Sequence, residues 1–200
     1  MSVNQRFRTI DSAGFSLVEV LVSVVILSIG LLGMVGMQAG ALQANREARL
    51  QSTAIGLARE LADMMRGNKA TALTADNPYL LNTQEGDPKS DTCLKVGYSC
   101  GTDGTKVANA QVTEWLARAR GSLPSPRILV CVDAAPFDAN GLPKKWSENC
   151  TAGTNVTPVI KIGWTRRSTD SVSTNGTIKL EQTSEADARP SIVIPVGLTS

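Results

Sequence analysis

The feature that most constrains this chain is an uncharged stretch near its amino terminus. From Val20 to Asn45 the sequence holds 26 residues without a charged side chain. At about 1.5 Å per residue, an α-helix of this length crosses the roughly 30 Å hydrocarbon core of a bilayer. Beyond Arg66 the composition shifts to Gly, Pro, Ser, Thr, Asn and Asp. The sequence therefore predicts one membrane helix, in about residues 15–44, and one globular domain, residues 67–200.

The residues after Asn45 continue the helical pattern but become amphipathic. Charged side chains occupy one part of the helical wheel, and Gly67-Asn68 is typical of a helix end. We expect a single helix over residues 15–66, about 78 Å long, whose second half offers an apolar face to a globular domain. That face is formed by Leu50, Ala54, Leu57, Leu61 and Met64.

The globular domain is predicted to contain a short helix followed by a sheet. The helix covers residues 107–121, with Pro124 just beyond its end. Laying the sheet on the amphipathic half of the long helix would bury both apolar surfaces and leave the other sheet face in solvent. The expected fold class is α+β, a long amino-terminal helix packed on an antiparallel sheet of about four strands. The strand candidates are residues 127–132, 159–164, 177–182 and 191–196.

Composition disfavours catalysis and nucleic-acid binding. The chain has no histidine and a net charge of +2, and it carries no G-x-S-x-G motif. Two basic pairs, Lys144-Lys145 beside Trp146 and Arg166-Arg167, are too little in a near-neutral domain to predict nucleic-acid binding. We expect Trp146 to pack over a Cys131–Cys150 bridge instead. We expect no enzyme activity, no cofactor and no metal.

The four cysteines, Cys93, Cys100, Cys131 and Cys150, all follow the predicted membrane helix. An even number in a domain outside the cytoplasm predicts two disulfides, for which three pairings exist. The local pairings, Cys93 with Cys100 and Cys131 with Cys150, are favoured because each closes a polar loop rich in Gly and Asp.

The segment before the apolar run has the features of an unusual signal. Residues 1–14 form a short polar leader with Arg6 and Arg8, which should stay in the cytoplasm and leave the carboxy terminus outside. The small residues that could mark a cleavage site end at Gly14, before the apolar run, so cleavage there would keep the helix. Glu19 places a costly carboxylate at the start of that helix, and such groups usually have a partner.

These residues carry a resemblance. The run GFSLVEVLVSVVILSIG resembles the class III signal of type IV pilins and type II secretion pseudopilins. The resemblance implies that prepilin peptidase cleaves after Gly14 and methylates the new amino terminus at Phe15. It also implies that Glu19 serves subunit docking. The chain's own amine cannot easily reach the fifth side chain of the mature helix, so the expected partner is the terminal amine of a neighbouring subunit.

Within the apolar run, Gly36 and Gly40 form a small-xxx-small pair. Such glycines fit close helix packing or local melting in a filament, and equally the ordinary tolerance of membrane helices for glycine. No proline precedes Pro78. This departs from major pilins and favours a minor subunit.

The head sequence resembles the PilV-like group of minor pilins. The resemblance implies a minor pilin that enters the filament and helps to prime its assembly near the tip, with twitching motility and cell adhesion as dependent processes. The implied partners are prepilin peptidase, other minor pilins, the major pilin, the inner-membrane assembly platform, and inner-membrane lipid before assembly. The implied location is the inner membrane, with a periplasmic head, and then the pilus. The alternative is a minor pseudopilin of a type II secretion system. The residues that carry this resemblance are Cys93, Cys100, Glu114, Trp115, Leu123, Pro124 and Trp164.

Overall fold

The structure is a computed structural model of the 200-residue chain. The chain divides into two compact units, Met1–Arg46 and Glu47–Ser200. The structure describes residues 14, 16–74, 76–148, 150–151, 153, 157–167, 180–181, 183, 185 and 188–198.

Helix α1 runs from Leu17 to Gly67, close to the predicted bounds of 15 and 66. In the first unit its described side chains are all exposed. The hydroxyl groups of Ser23 and Ser28 donate to the carbonyl oxygens of Glu19 and Val24, each at 2.7 Å, so these polar groups are satisfied within the helix. By length and composition this helix could cross a membrane, a criterion that a signal sequence also meets.

The second unit combines the end of α1 with two further helices and two antiparallel sheets. The main sheet has the strand order β1-β2-β3-β6, and β4 pairs with β5 in a separate ribbon. The predicted α+β fold with a sheet of about four strands is confirmed. The elements are α2 (Lys69–Ala72), β1 (Leu81–Asn82), α3 (Gly104–Ser122), β2 (Arg127–Val132), β3 (Pro158–Gly163), β4 (Arg166–Arg167), β5 (Leu180–Glu181) and β6 (Ile192–Pro195).

The membership of the main sheet differs from the sequence prediction at one strand. We expected residues 177–182 to supply a strand, but the part that the structure describes, β5, pairs with β4. The remaining member is β1, which lies outside the four predicted strand candidates. It is held by long-range bonds: the backbone N–H of Thr83 donates to the carbonyl oxygen of Ile128 at 3.0 Å.

The hydrophobic core of the second unit lies between α1, α3 and the inner face of the sheet. Residues Ile128 on β2 and Ile162 on β3 are opposite each other on this face and fully buried. Helix α3 contributes Trp115, also fully buried, whose indole N–H donates to the carbonyl oxygen of Leu57 on α1 at 2.9 Å. Burial of large apolar side chains such as these is the main favourable contribution to the stability of a small domain.

Helix α3 begins three residues earlier than the predicted residue 107. Asp103 caps it, because its carboxylate accepts hydrogen bonds from the backbone N–H groups of Thr105 and Lys106 at 2.9 and 3.2 Å. At its first residue, Gly104, an added Cβ would lie 2.9 Å from Asn68 Oδ1 and even nearer Thr71 Oγ1. A larger residue here would therefore force the side chains of Thr71 and Asn68 to move where α3 meets the end of α1.

At its central strand β3 the outer face of the sheet is covered, where a solvated face was expected. Every residue of the central strand β3 is buried, including Lys161, which is 2% exposed. The covering segment, residues 133–148, is called the strap below. Its Asp133 pairs with Lys161, and its Trp146 lies against Gly163, where an added Cβ would be 2.9 Å from the indole ring.

Candidate functional site

The proposed processing and docking residues lie where α1 begins. Gly14 and Ser16 precede the helix, and Glu19 stands in its first turn, where its backbone N–H donates to Ser16 O at 3.0 Å. The side chain of Glu19 is exposed, and no described residue pairs with it. Phe15 and leader residues 1–13 lie outside the described residues. A cut after Gly14 would thus leave a mature chain that is helical from its third residue.

The cysteines of the second unit form two local disulfides. Cys93 pairs with Cys100, and Cys131 pairs with Cys150, with Cα separations of 4.9 and 6.3 Å. No cysteine is free. The first bridge closes an eight-residue loop, and the second joins β2 to the residues just after the strap. These are the two pairings that sequence favoured among three.

A buried ion pair lies beside the second disulfide. Lys161 Nζ donates to Asp133 Oδ2 at 2.6 Å, and Asp133 Oδ1 accepts from the backbone N–H groups of Ala135 and Thr151, each at 3.0 Å. Burial raises the pKa of Asp133, but the hydrogen bonds from Lys161 and the two backbone groups outweigh it and hold the pKa below its usual value. The carboxylate therefore stays ionised and links the start of the strap to Thr151, just after its end.

This site was missed from sequence, although a signal was present. Lys161 interrupts an apolar run, and Asp133 directly follows another. Buried charges need partners, so a lysine within one apolar segment and an aspartate directly after another could have been paired. One carboxylate oxygen of Asp133 and the sulfurs of Cys131 and Cys150 lie within 4.8 Å of one another. Because both sulfurs are bonded in the disulfide, they offer no thiolate to a metal ion.

Trp146 and Lys144, two of the residues that could have indicated nucleic-acid contact, have structural contacts within the second unit. Trp146 is 4% exposed, too buried to stack on a base, and the Arg127 guanidinium lies 4.6 Å from its ring centroid. Lys144 Nζ donates to Thr151 Oγ1 at 3.2 Å. The expected position of Trp146 over the disulfide needs correction, because its described contacts are with Arg127 and Gly163, at the other end of the paired strands from Cys131.

Comparison with protein families agrees with this geometry. Residues 11–35 match the prokaryotic N-terminal methylation motif, so the chain belongs to the class of proteins that carry this signal ahead of an apolar helix. Residues 36–111, which contain the rest of α1 and the first part of the head, match the family described as type IV pilin Tt1218. The two adjoining matches identify the chain as a type IV pilin. No curated protein and no solved structure gives a significant match.

Proposed function

We propose that this pilin is a minor subunit of a type IV pilus that primes filament assembly near the tip. Prepilin peptidase cleaves it after Gly14 and methylates Phe15, and the mature chain waits in the inner membrane with its head in the periplasm. The observation that carries the proposal is the continuity of α1, because one helix from Leu17 to Gly67 joins the signal to the core of the head. Such a subunit can leave the membrane without breaking its anchor from its head.

Glu19 is the proposed docking residue. A carboxylate near the end of a membrane helix costs free energy unless it is paired, and no described residue of this chain pairs with it. The amine of a neighbouring mature subunit supplies the opposite charge. The pairing favours a subunit in the filament over a subunit alone in lipid. Assembly therefore proceeds with other minor pilins and the major pilin, on the inner-membrane assembly platform.

The head is proposed to be structural rather than catalytic. The sequence lacks histidine, and all four cysteines are oxidised. The residues shared with PilV-like minor pilins have structural positions in it: Cys93–Cys100 closes a loop, and Trp115 and Trp164 are buried. These positions support a minor pilin of that group.

Amino-terminal sequencing of the protein from sheared pili tests the proposal. The expected result is methylated Phe15 as the first residue, in a filament fraction where this chain is scarce relative to the major pilin. Deletion should abolish surface piliation if the subunit primes assembly. Normal fibre numbers in the deletion strain would contradict priming. Loss of exoprotein secretion with normal pili would instead assign the chain to a type II secretion system.

A further inference from the structure

The strap reverses direction in a tight turn, residues 138–142, which is called the strap tip below. The backbone N–H of Asp138 donates to Leu142 O at 2.8 Å, and the backbone N–H of Gly141 donates to Asp138 O at 3.0 Å. Gly141 has a φ of 76°, in the left-handed region that favours glycine. Asn140 precedes it, and both residues are exposed. The turn therefore presents an Asn-Gly pair to solvent.

An asparagine followed by glycine can react without any partner. The backbone nitrogen of Gly141 can attack Cγ of the Asn140 side chain, which closes a five-membered succinimide ring and releases Nδ2 as ammonia. Water then opens the ring at either carbonyl and leaves aspartate or isoaspartate. The reaction consumes one water and releases one ammonia, so it requires no oxidant and no cofactor. Gly141 has no side chain to obstruct the attack, and the exposed position admits water.

Asp138 holds the strap tip in an unreactive arrangement. Its Oδ1 accepts hydrogen bonds from the backbone N–H groups of Asn140 and Leu142, at 2.9 and 3.0 Å. Its Oδ2 accepts a bond of 2.9 Å from Arg189 Nη1, which fixes the carboxylate itself. Succinimide formation requires Gly141 N to lose its proton and its bond to Asp138 O, while the side chain of Asn140 turns toward it. The reaction therefore proceeds only when the tip opens locally.

We propose that Asn140 is a site of spontaneous deamidation, and that the Asp138–Arg189 pair keeps the reaction slow while the head is folded. Each hydrogen bond that must break lowers the fraction of molecules with an open tip. The product alters the tip, because a new carboxylate at position 140 lies two positions from Asp138 and repels it. Isoaspartate also lengthens the backbone of the turn by one carbon. This site is independent of the proposed role in the filament, since it depends on the second unit alone.

Peptide mass spectrometry of the detergent-solubilised full-length protein, incubated at mildly alkaline pH, measures the rate at which Asn140 is converted. Asp138→Ala removes the bonds to the carboxylate and should raise this rate about tenfold. Arg189→Gln removes the cation that fixes Oδ2 and should raise the rate by a smaller factor. Arg120→Gln is the matched control, because Arg120 forms an exposed pair with Asp87 away from the strap, and it should leave the rate at the wild-type value. In guanidinium chloride, wild type and Asp138→Ala should convert Asn140 equally fast.

The site and its restraint are tested separately. If Asn140 stays unconverted in the denatured wild type, it is not a deamidation site. If the folded wild type converts as fast as the denatured protein, or if neither Asp138→Ala nor Arg189→Gln raises the folded rate, the ion pair does not restrain the reaction. Circular dichroism shows whether each variant stays folded, and Arg189→Gln decides if Asp138→Ala unfolds. None of these measurements uses pili, so failure here would leave the proposed function intact.

Discussion

Lys161 and Asp133 form an ion pair of 2.6 Å on the outer face of the sheet, with side chains only 3% and 0% exposed. The strand and the strap that carry these two residues hold both side chains in place. Lys161 comes from the central strand, and Asp133 begins the strap and also accepts two backbone hydrogen bonds. The pair joins the strap to the sheet at the point where the Cys131–Cys150 bridge closes the same segment.

Asp133→Asn should destabilise the head strongly. At pH 7 it leaves the Lys161 ammonium buried without a carboxylate, which typically costs about 3–5 kcal/mol. The free energy of unfolding, measured by urea denaturation of the detergent-solubilised protein, checks this. Asp87→Asn is the control, because Asp87 pairs with Arg120 on the exposed surface and its loss should scarcely move the unfolding midpoint.

The destabilisation caused by Asp133→Asn should depend on pH, in a direction that the pKa of Asp133 determines. The pKa of Asp133 is lower in the folded protein than the value near 4 of an unfolded chain. The stabilisation is therefore present in full above about pH 4 and is lost as the pH falls through the folded pKa. The difference in melting temperature between wild type and Asp133→Asn should be large at pH 7 and shrink below about pH 4. A constant difference down to pH 2 would contradict the ion pair.

Two buried tryptophans should respond differently to replacement by phenylalanine. Trp115 and Trp164 are 0% and 2% exposed, so both changes remove similar buried volume. Trp115 also loses its hydrogen bond to Leu57 O, whereas the indole N–H of Trp164 has no partner among the described residues. Trp115→Phe should cost about 1 kcal/mol more than Trp164→Phe in denaturant unfolding. Equal losses in the free energy of unfolding would show that the hydrogen bond of Trp115 makes no net contribution to stability.

Gly104 and Gly121 should give opposite signs when changed to alanine. At Gly104 the new methyl group would overlap Thr71 and Asn68, and would disturb the 2.7 Å bond from Asn68 Nδ2 to Gly104 O. Overpacking of this kind costs about 1–3 kcal/mol. At Gly121 nothing lies within 4 Å, so alanine should be neutral or slightly stabilising. Melting temperatures of the two variants measure the contrast, and a stable Gly104→Ala protein would contradict the close approach.

The two disulfides should differ in their contributions. The Cys131–Cys150 bridge spans 19 positions and the Cys93–Cys100 bridge spans 7. Loop-closure entropy therefore predicts a stabilisation of about 3 kcal/mol from Cys131–Cys150 and slightly less from Cys93–Cys100. The Cys131–Cys150 bridge also restrains the strap over Lys161. Replacing Cys131 and Cys150 by serine should therefore lower the melting temperature more than replacing Cys93 and Cys100. If the two double variants lose equal melting temperature, or if the order is reversed, the Cys131–Cys150 bridge does not stabilise the head through the strap. Mass spectrometry of the alkylated wild-type protein should detect no free thiol.

The sequence predicts well those parts of the chain that depend on local residue patterns. The spacing of Leu50, Leu57 and Leu61 predicts the buried face of α1 because a helix repeats every 3.6 residues. Likewise the signal around Gly14 and Glu19 is a contiguous motif, which needs no knowledge of the fold.

The parts that sequence missed depend on contacts between distant segments. Strand β1 has two residues, too few for an alternating pattern, and exists because Thr83 bonds to Ile128 forty-five positions away. The strap covers a sheet face through Asp133 and Trp146, and neither residue shows from its neighbours which surface it will meet. A charged residue inside an apolar strand, such as Lys161, was the one local sign that this face is buried.

Glu19→Ala should separate processing from assembly. The change leaves Gly14 and the apolar helix intact, so prepilin peptidase should still remove the leader, but the subunit loses the carboxylate that meets a neighbour's amine. We expect mature protein in the membrane and a loss of about tenfold or more from sheared pili, measured by immunoblot of both fractions. Gly14→Ala is the matched control, because it should retain the leader and leave only precursor. Normal incorporation of Glu19→Ala would remove its docking role while leaving the signal in place, whereas normal cleavage of Gly14→Ala would disprove the cleavage site itself.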